Sequence, residues 1–220
     1  MKLALFDLDN TLLDGDSDFE WSQFLIRTGV LERSLFEVKN LAFYQQYQAG
    51  TLDIHEFLAF QLAPLSRHSR KILNNWHVQF MRESVLPMIT QASRDLVNQH
   101  LEAGDLCAII TATNSFVTAP IAREFGIAHL IATEPEHIAG EFTGKVAAIP
   151  CFREGKITCL ENWLDTQGFS LDSFDYSTFY SDSMNDLPLL CKVRRPVAAN
   201  PDKTLRAHAE QQGWQIISLR

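Results

Sequence analysis

The sequence predicts an α/β protein: a doubly wound, Rossmann-like parallel sheet with a bundle of helices inserted after its first strand. Three observations predict it. Leu3-Ala4-Leu5-Phe6 is an apolar run that stops at two acids, Asp7 and Asp9; residues 15–86 are aromatic with helical spacing; and from Pro87 onward strand-like and helix-like segments alternate. Four consecutive apolar residues mark a strand covered on both faces. In open α/β sheets ligands bind beyond the carboxyl ends of the strands, which is where the acids begin. Side chains alternate along an extended chain, so Asp7 and Asp9 share one side while Leu8 turns into the core. Two carboxylates aimed at one small volume repel. A divalent cation removes that repulsion and leaves one acid free as a nucleophile and the other for proton transfer, so the pattern calls for magnesium.

In the helical tract, aromatic residues from Phe19 to Phe80 are separated by polar ones, with breaks at Gly29, Gly50-Thr51 and Pro64. About four helices fit. Ser17 or Asp18 is the expected cap of the first, which runs to about Thr28; Asp53 starts another, and Ser66 starts one reaching Glu83. The expected division is therefore residues 1–14 and 87–220 as the α/β core, and 15–86 as a helical cap. In the core, residues 88–103 read as a helix, Leu106 to Thr111 as a strand and 115–125 as a helix. Residues 129–150, broken by Pro135, Gly140, Gly144 and Pro150, read as a small hairpin excursion. Lys156 to Thr166 is a helix, Tyr176 to Ser181 a strand, Asp186 to Cys191 a short helix, Val193 to Ala198 a strand, Asp202 to Gln211 a helix and Trp214 to Leu219 a strand. Such alternation implies parallel strands with right-handed crossovers.

The chain has 220 residues, 46% hydrophobic and 21% charged, which suits an ordinary globular fold with a substantial core. With a formal net charge of −8 and no persistent Lys/Arg cluster, nucleic acid and anionic membranes are not expected partners. The amino-terminal apolar run is too short for a signal peptide and nothing approaches membrane-spanning length, so the expected compartment is the cytoplasm. Cys107, Cys151, Cys159 and Cys191 form no Cys-x-x-Cys pair, which favours reduced thiols over disulfides or zinc.

The segment Asp7-Leu8-Asp9-Asn10-Thr11-Leu12 resembles the first motif of the haloacid dehalogenase superfamily of phosphohydrolases, and matches it at every defined position. Three later segments fit the same family in order. Ala108-Ile109-Ile110-Thr111 delivers a hydroxyl at a strand end, where Thr111 and the Ala112 backbone N–H would bind phosphoryl oxygens. Lys156, at the start of an apolar-periodic helix, fits the third motif, with Lys145 as the competing lysine. Ser181-Asp182-Ser183-Met184-Asn185-Asp186 fits the fourth, with Ser181 in place of the usual glycine.

The resemblance, nearest to the phosphoserine phosphatase-like branch, implies a phosphatase. Asp7 would attack phosphorus, and Asp9 would protonate the leaving group and then deprotonate water. Magnesium would sit on Asp7, Asp182 and the backbone carbonyl of Asp9. Asn10, Thr111 and Lys156 would hold the phosphoryl oxygens, while Asn185 and Asp186 would orient the substrate end, waters and the lysine. Asp16 lies nine residues after the nucleophile, where phosphoserine phosphatases carry a glutamate that contacts the substrate amine. A substrate carboxylate would need a cation, with Arg27, Arg33, Arg67 and Arg70 as candidates. The expected substrate is a small phosphate ester, amine-bearing and phosphoserine-like. Transfer to a sugar acceptor, or a receiver-like module phosphorylated without turnover, are the competing readings. Nothing in the sequence speaks to oligomeric state.

Overall fold

The computed structural model describes residues 1–220. In chain order it contains β1 (Lys2–Phe6), an irregular turn over Leu8–Leu12, α1 (Ser17–Arg27), α2 (Arg33–Ala49), α3 (Ile54–Leu62), α4 (Arg70–Phe80) and α5 (Leu86–Met88). There follow α6 (Gln91–Glu102), β2 (Leu106–Asn114), α7 (Ser115–Glu124), β3 (His129–Thr133), β4 (Pro135–Ile138) and β5 (Glu141–Val146). The chain closes with α8 (Glu154–Thr166), β6 (Tyr176–Ser181), α9 (Leu187–Leu190), β7 (Arg195–Ala199), α10 (Lys203–Gln212) and β8 (Gln215–Ile217).

Six strands form one parallel sheet in the order β3-β2-β1-β6-β7-β8. This is the predicted fold class, and it places β1 at the point where the winding reverses, with β2 on one side and β6 on the other. The strand period then sorts the core. Leu3, Leu5, Ala108 and Ile110 face Leu160 and Leu164 of α8 and Leu205 of α10. Ala4, Phe6 and Ile109 face the opposite way, into a cluster that includes Val97, Val117 and Ile121. That second cluster runs without a break into the inserted helices through Trp21, Phe24, Leu58, Leu62 and Phe80. The helices thus share their apolar interior with the sheet. The chain enters and leaves them side by side, through a bridge between Leu13 and Ile89 and a bond from Asp14 N to the Met88 carbonyl at 2.8 Å.

Several expected boundaries move. Asp16, rather than Ser17 or Asp18, caps α1, because its carboxylate accepts from both the Asp18 and Phe19 N–H groups. Asp53 caps α3 as expected, likewise through two N–H groups. Such caps each contribute ~1 kcal/mol. The helix expected from Ser66 begins at Arg70, after a 3-10 stretch over Ala63–Arg67, and does not stop at Glu83. It continues through a π turn, Met81–Val85, into the short α5, where Pro87 lies in the closing turn and the helix stops at Met88. Residues 129–133 are not part of the hairpin. They pair in parallel with β2 as the sheet's edge, burying Ile131 and Ala132, and the hairpin is only β4 with β5.

Candidate active site

Asp7, Thr111 and Asp182 stand at the carboxyl ends of three adjacent strands. Phe6 pairs with Ile109 of β2 and with Tyr180 of β6, so the residues following all three emerge together. Asp7 is anchored by its own backbone N–H, which donates to the Tyr180 carbonyl at 2.9 Å. Its side chain is held on both oxygens: Lys156 Nζ lies 2.8 Å from Oδ1 and Thr11 Oγ1 lies 2.9 Å from Oδ2. Thr11 Oγ1 is also 3.2 Å from Asp182 Oδ1 and accepts the Asp182 N–H at 3.0 Å. One buried hydroxyl therefore gathers two carboxylates.

Lys156 is nearly inaccessible and lies 2.8 Å from Asp186 Oδ2 as well as from Asp7. Burial disfavours its charge, but Asp186 and Asp7 outweigh that, so its pKa is raised above the ordinary lysine value. Asp186 in turn accepts from Ser181 Oγ at 2.7 Å, which gives the serine in the glycine position of the fourth motif a bond of its own. The lysine reaches the floor of the site because α8 starts abruptly. Arg153 just before it has φ +50°, and a Cβ on Gly155 would lie 2.1 Å from the Pro150 carbonyl oxygen, so only glycine fits there.

Asp9 lies on the same side as Asp7, with Leu8 fully buried between them. Its carboxylate accepts from Ser17 N at 2.6 Å and Thr113 Oγ1 at 2.8 Å. Thr113 reaches it because β2 loses regular register after Thr111, and the Thr111 hydroxyl accepts the Thr113 N–H at 3.1 Å. Asn10 follows in the left-handed region, φ +58°, a conformation asparagine tolerates. Burial pushes the Asp7 carboxyl up to about 7 against the pull of Lys156. Burial, then the neighbouring Asp16, push Asp9 up to about 6. Burial, then Asp7 and Asp186, hold Asp182 well above the ordinary carboxylate range.

These electrostatics fit magnesium. No three Asp, Glu, His or Cys side chains converge as a cage, and the Asp9 side chain is turned to Thr113 and Ser17, which leaves only its backbone carbonyl for a metal. Magnesium is commonly held by one or two carboxylates plus waters and substrate phosphate. Asp7 and Asp182 are two such carboxylates, each disfavoured in charged form until a cation joins them.

The opposite wall of the cavity comes from α1, α2 and α3: Asp16, Asp18, Asn40, Phe43, Tyr47 and Gln61 among others face the same space as Asp7, Thr111 and Lys156. The end of α2 is tied to the core. Asn185 Nδ2 donates to the Tyr47 carbonyl at 3.1 Å, Arg153 donates to Asn185 Oδ1 at 3.1 Å, and the Arg153 guanidinium also grips the Gly50 carbonyl. The Asn185 side chain is thus committed to holding the helices. None of the four candidate arginines reaches the cavity. Arg27 binds Ser84, Arg33 pairs with Glu37, Arg67 is exposed, and Arg70 stacks over Phe142 at 4.1 Å. Lys145 is exposed on β5.

A family model described as haloacid dehalogenase-like hydrolase matches residues 4–190 of this chain. The chain belongs to that family. Across its full length it is 45% identical to a histidinol-phosphatase of Neisseria meningitidis and covers 99% of that protein. It is 30% identical to a phosphoserine phosphatase of Mycobacterium tuberculosis, of which it covers 70%. A Bordetella pertussis protein described as of unknown function superimposes with a TM-score of 0.95 at 49% identity, covering 100% of this chain and 99% of its own. A substrate-bound phosphoserine phosphatase superimposes at 0.69 with 18% identity, over 100% of this chain and 93% of the other, which shows a shared fold. This haloacid dehalogenase-like hydrolase is a phosphatase.

Of the sequence-predicted residues, Asp7, Asp9, Asn10, Asp16, Thr111, Ala112, Lys156, Asn185 and Asp186 line the cavity, whereas Asp182 does not line it and is joined to Asp7 through Thr11. Sequence reasoning gave no role to Thr11, Thr113, Arg153, Asn40 or Gln61. For two of these a signal was present. Asn40 and Gln61 occupy positions in otherwise apolar stripes, Phe36-Asn40-Phe43 and Leu58-Gln61-Leu65, where a buried polar side chain needs a reason.

Proposed function

We propose that this phosphatase hydrolyses a small phosphomonoester through phosphorylation of Asp7, with magnesium, and that its substrate carries a cation and no carboxylate. The observation that carries the chemistry is Asp7 itself, buried and gripped on both oxygens by Lys156 and Thr11 at a strand end. Gripped this way, it presents one fixed trajectory to phosphorus. An Asp7 oxygen forms a bond to phosphorus as the ester P–O bond breaks, and Asp9 gives its proton to the departing alkoxide. Asp9 then takes a proton from water, whose oxygen attacks phosphorus, breaks the bond to Asp7 and releases inorganic phosphate. A carboxyl held near 6 suits both halves of that exchange. Thr111 and the Ala112 N–H face the transferring group, and Lys156 keeps its charge to offset the phosphoryl oxygens. Magnesium, held by Asp7, Asp182 and the Asp9 carbonyl, would neutralise charge on the phosphoryl group.

The substrate reading follows from the charges in the cavity. Its only Lys or Arg is Lys156, already shared by Asp7 and Asp186, whereas Asp16 and Asp18 face the far end from the helices. A phosphoserine carboxylate would meet acids there. An ammonium or imidazolium would be matched, and the aromatic walls suit a flat ring. Histidinol phosphate, the ester implied by the name of the 45% identical relative, has that character. The test is a magnesium-dependent comparison of L-histidinol phosphate, L-phosphoserine and 4-nitrophenyl phosphate. Preference for histidinol phosphate in kcat/KM supports the reading, and preference for phosphoserine refutes it. Equal phosphate release with and without sugar acceptors excludes transfer.

A further inference from the structure

Every buried side-chain nitrogen or oxygen that lacks a hydrogen-bond partner in this molecule lies on α1 or α2: Ser17 Oγ, both oxygens of Asp18, Trp21 Nε1 and Asn40 Nδ2. Native structures contain few such groups, and a cluster of them beside a cavity asks for an explanation. Asp18 and Asn40 both line the cavity.

The geometry points to Asp18, not Asp16, as the residue that takes the substrate's cationic nitrogen, with the Asn40 amide donating to an acceptor elsewhere on the substrate. This deepens the substrate reading above and rests on it. One oxygen of Asp16 is already engaged, since Oδ1 accepts from the Asp18 and Phe19 N–H groups at 3.0 and 2.9 Å and so caps α1, whereas Asp18 has no bond on either oxygen. Asp18 is 4% exposed, and neither of its oxygens is met by any donor of the protein. Burial, then Asp16 and Asp9, hold its carboxyl well above the ordinary range. No Lys or Arg pairs with it, so a cation arriving with the ligand is the partner it lacks.

Asn40 is oriented by a relay. Ser22 Oγ donates to Gln61 Oε1 at 2.8 Å, and Gln61 Nε2 donates to Asn40 Oδ1 at 3.3 Å. The relay occupies the Asn40 oxygen and leaves its N–H₂ group as a fixed donor with no acceptor. An acceptor and a donor, both buried and both unfilled, match a ligand that carries an N–H⁺ group and, at a separate position, a lone pair, as an ammonium beside a neutral imidazole does. A ligand lacking the cation leaves Asp18 unpaired in the closed cavity, which is a penalty against the wrong substrate as much as a gain for the right one.

The experiment measures kcat/KM for L-histidinol phosphate and for 4-nitrophenyl phosphate, which has no cation, in the wild type, Asp18→Asn and Asp16→Asn. Loss of a charge-assisted bond should lower the ratio of the two values by about thirtyfold in Asp18→Asn, mainly through KM for the cationic ester. In Asp16→Asn, where asparagine preserves the cap, the ratio should change far less. Asp18→Ser, which removes the carboxylate with a smaller side chain, should reproduce the effect if Asp18→Asn folds poorly. A wild-type enzyme that prefers the ester without a cation overturns the substrate reading and this assignment together. A wild type that prefers the cationic ester, with an unchanged ratio in both Asp18 variants or a drop in Asp16→Asn alone, overturns the assignment and leaves the substrate reading standing.

Discussion

The two walls of the cavity are built on opposite terms. On the core side nearly every charge has a partner before any ligand arrives: Lys156 joins Asp7 to Asp186, Thr11 joins Asp7 to Asp182, and Ser181 holds Asp186. On the helical side all of the molecule's buried orphans gather, and Asp18 faces the cavity with neither oxygen satisfied. The difference separates two tasks. Groups that stabilise a transition state must be fixed in advance, so their partners are internal. Groups that select a substrate gain discrimination by being left incomplete until the correct ligand completes them.

The comparison can be broken first at Asp7. Asp7→Asn should lower phosphate release by at least about a thousandfold, while circular dichroism shows a folded protein. Retained activity would remove the nucleophile from the proposal. Lys156→Met should follow, with a loss of about 100-fold or more in kcat and a destabilisation of ~3–5 kcal/mol by urea unfolding, because it leaves Asp7 and Asp186 buried without their cation.

Gly155→Ala tests how the lysine is placed. Its Cβ would overlap the Pro150 carbonyl, and the helix start must shift, at ~1–3 kcal/mol of stability. Asp18→Asn is the contrasting case on the other wall. A buried carboxyl with a raised pKa weakens folding at high pH, so its removal should raise the melting temperature at pH 8 rather than lower it.

The pH dependence of the metal-free protein sharpens the same contrast. Asp7 and Asp9 have folded-state pKa values above the ordinary 3.8, about 7 and about 6. Between 3.8 and those values the folded state binds more protons than the unfolded one, so stability falls as pH rises through that window. In chelator the melting temperature should therefore drop from pH 5 to pH 8. Added magnesium should raise it more at pH 8 than at pH 5, where protons already occupy the carboxylates. The smallest effect is expected at Thr113→Val, which removes a bond that favours the charged form of Asp9. The Asp9 pKa should rise above 6, shifting the alkaline limb of the kcat/KM profile, where the general acid is lost, toward higher pH.

How much of this was legible beforehand differs between the walls in the same way. Asp7 and Asp182 directly follow β1 and β6, Thr111 lies near the end of β2 and Asp9 two residues beyond Asp7, so an extended run of a few neighbouring residues is enough to place them. The helical side was not legible in that manner. The family resemblance marks Asp16 as a substrate ligand, and in the fold it caps α1 as well as lining the cavity; Asp18 reads as a cap, yet it caps nothing and faces the cavity unpaired. Both readings fit the same local string, since any of three consecutive polar residues can cap a helix and only the actual start decides which.

The sequence by itself determined the parallel sheet and which of its strands run out into polar side chains, because strand direction and apolar runs are local properties. Only the tertiary structure decided that Lys156 rather than Lys145 meets Asp7, that the arginines stand away from the cavity, and that Asn40 and Gln61 form a relay. Those outcomes depend on the angle at which each helix packs onto the sheet, and that angle is set by the fit of side chains far apart in the chain.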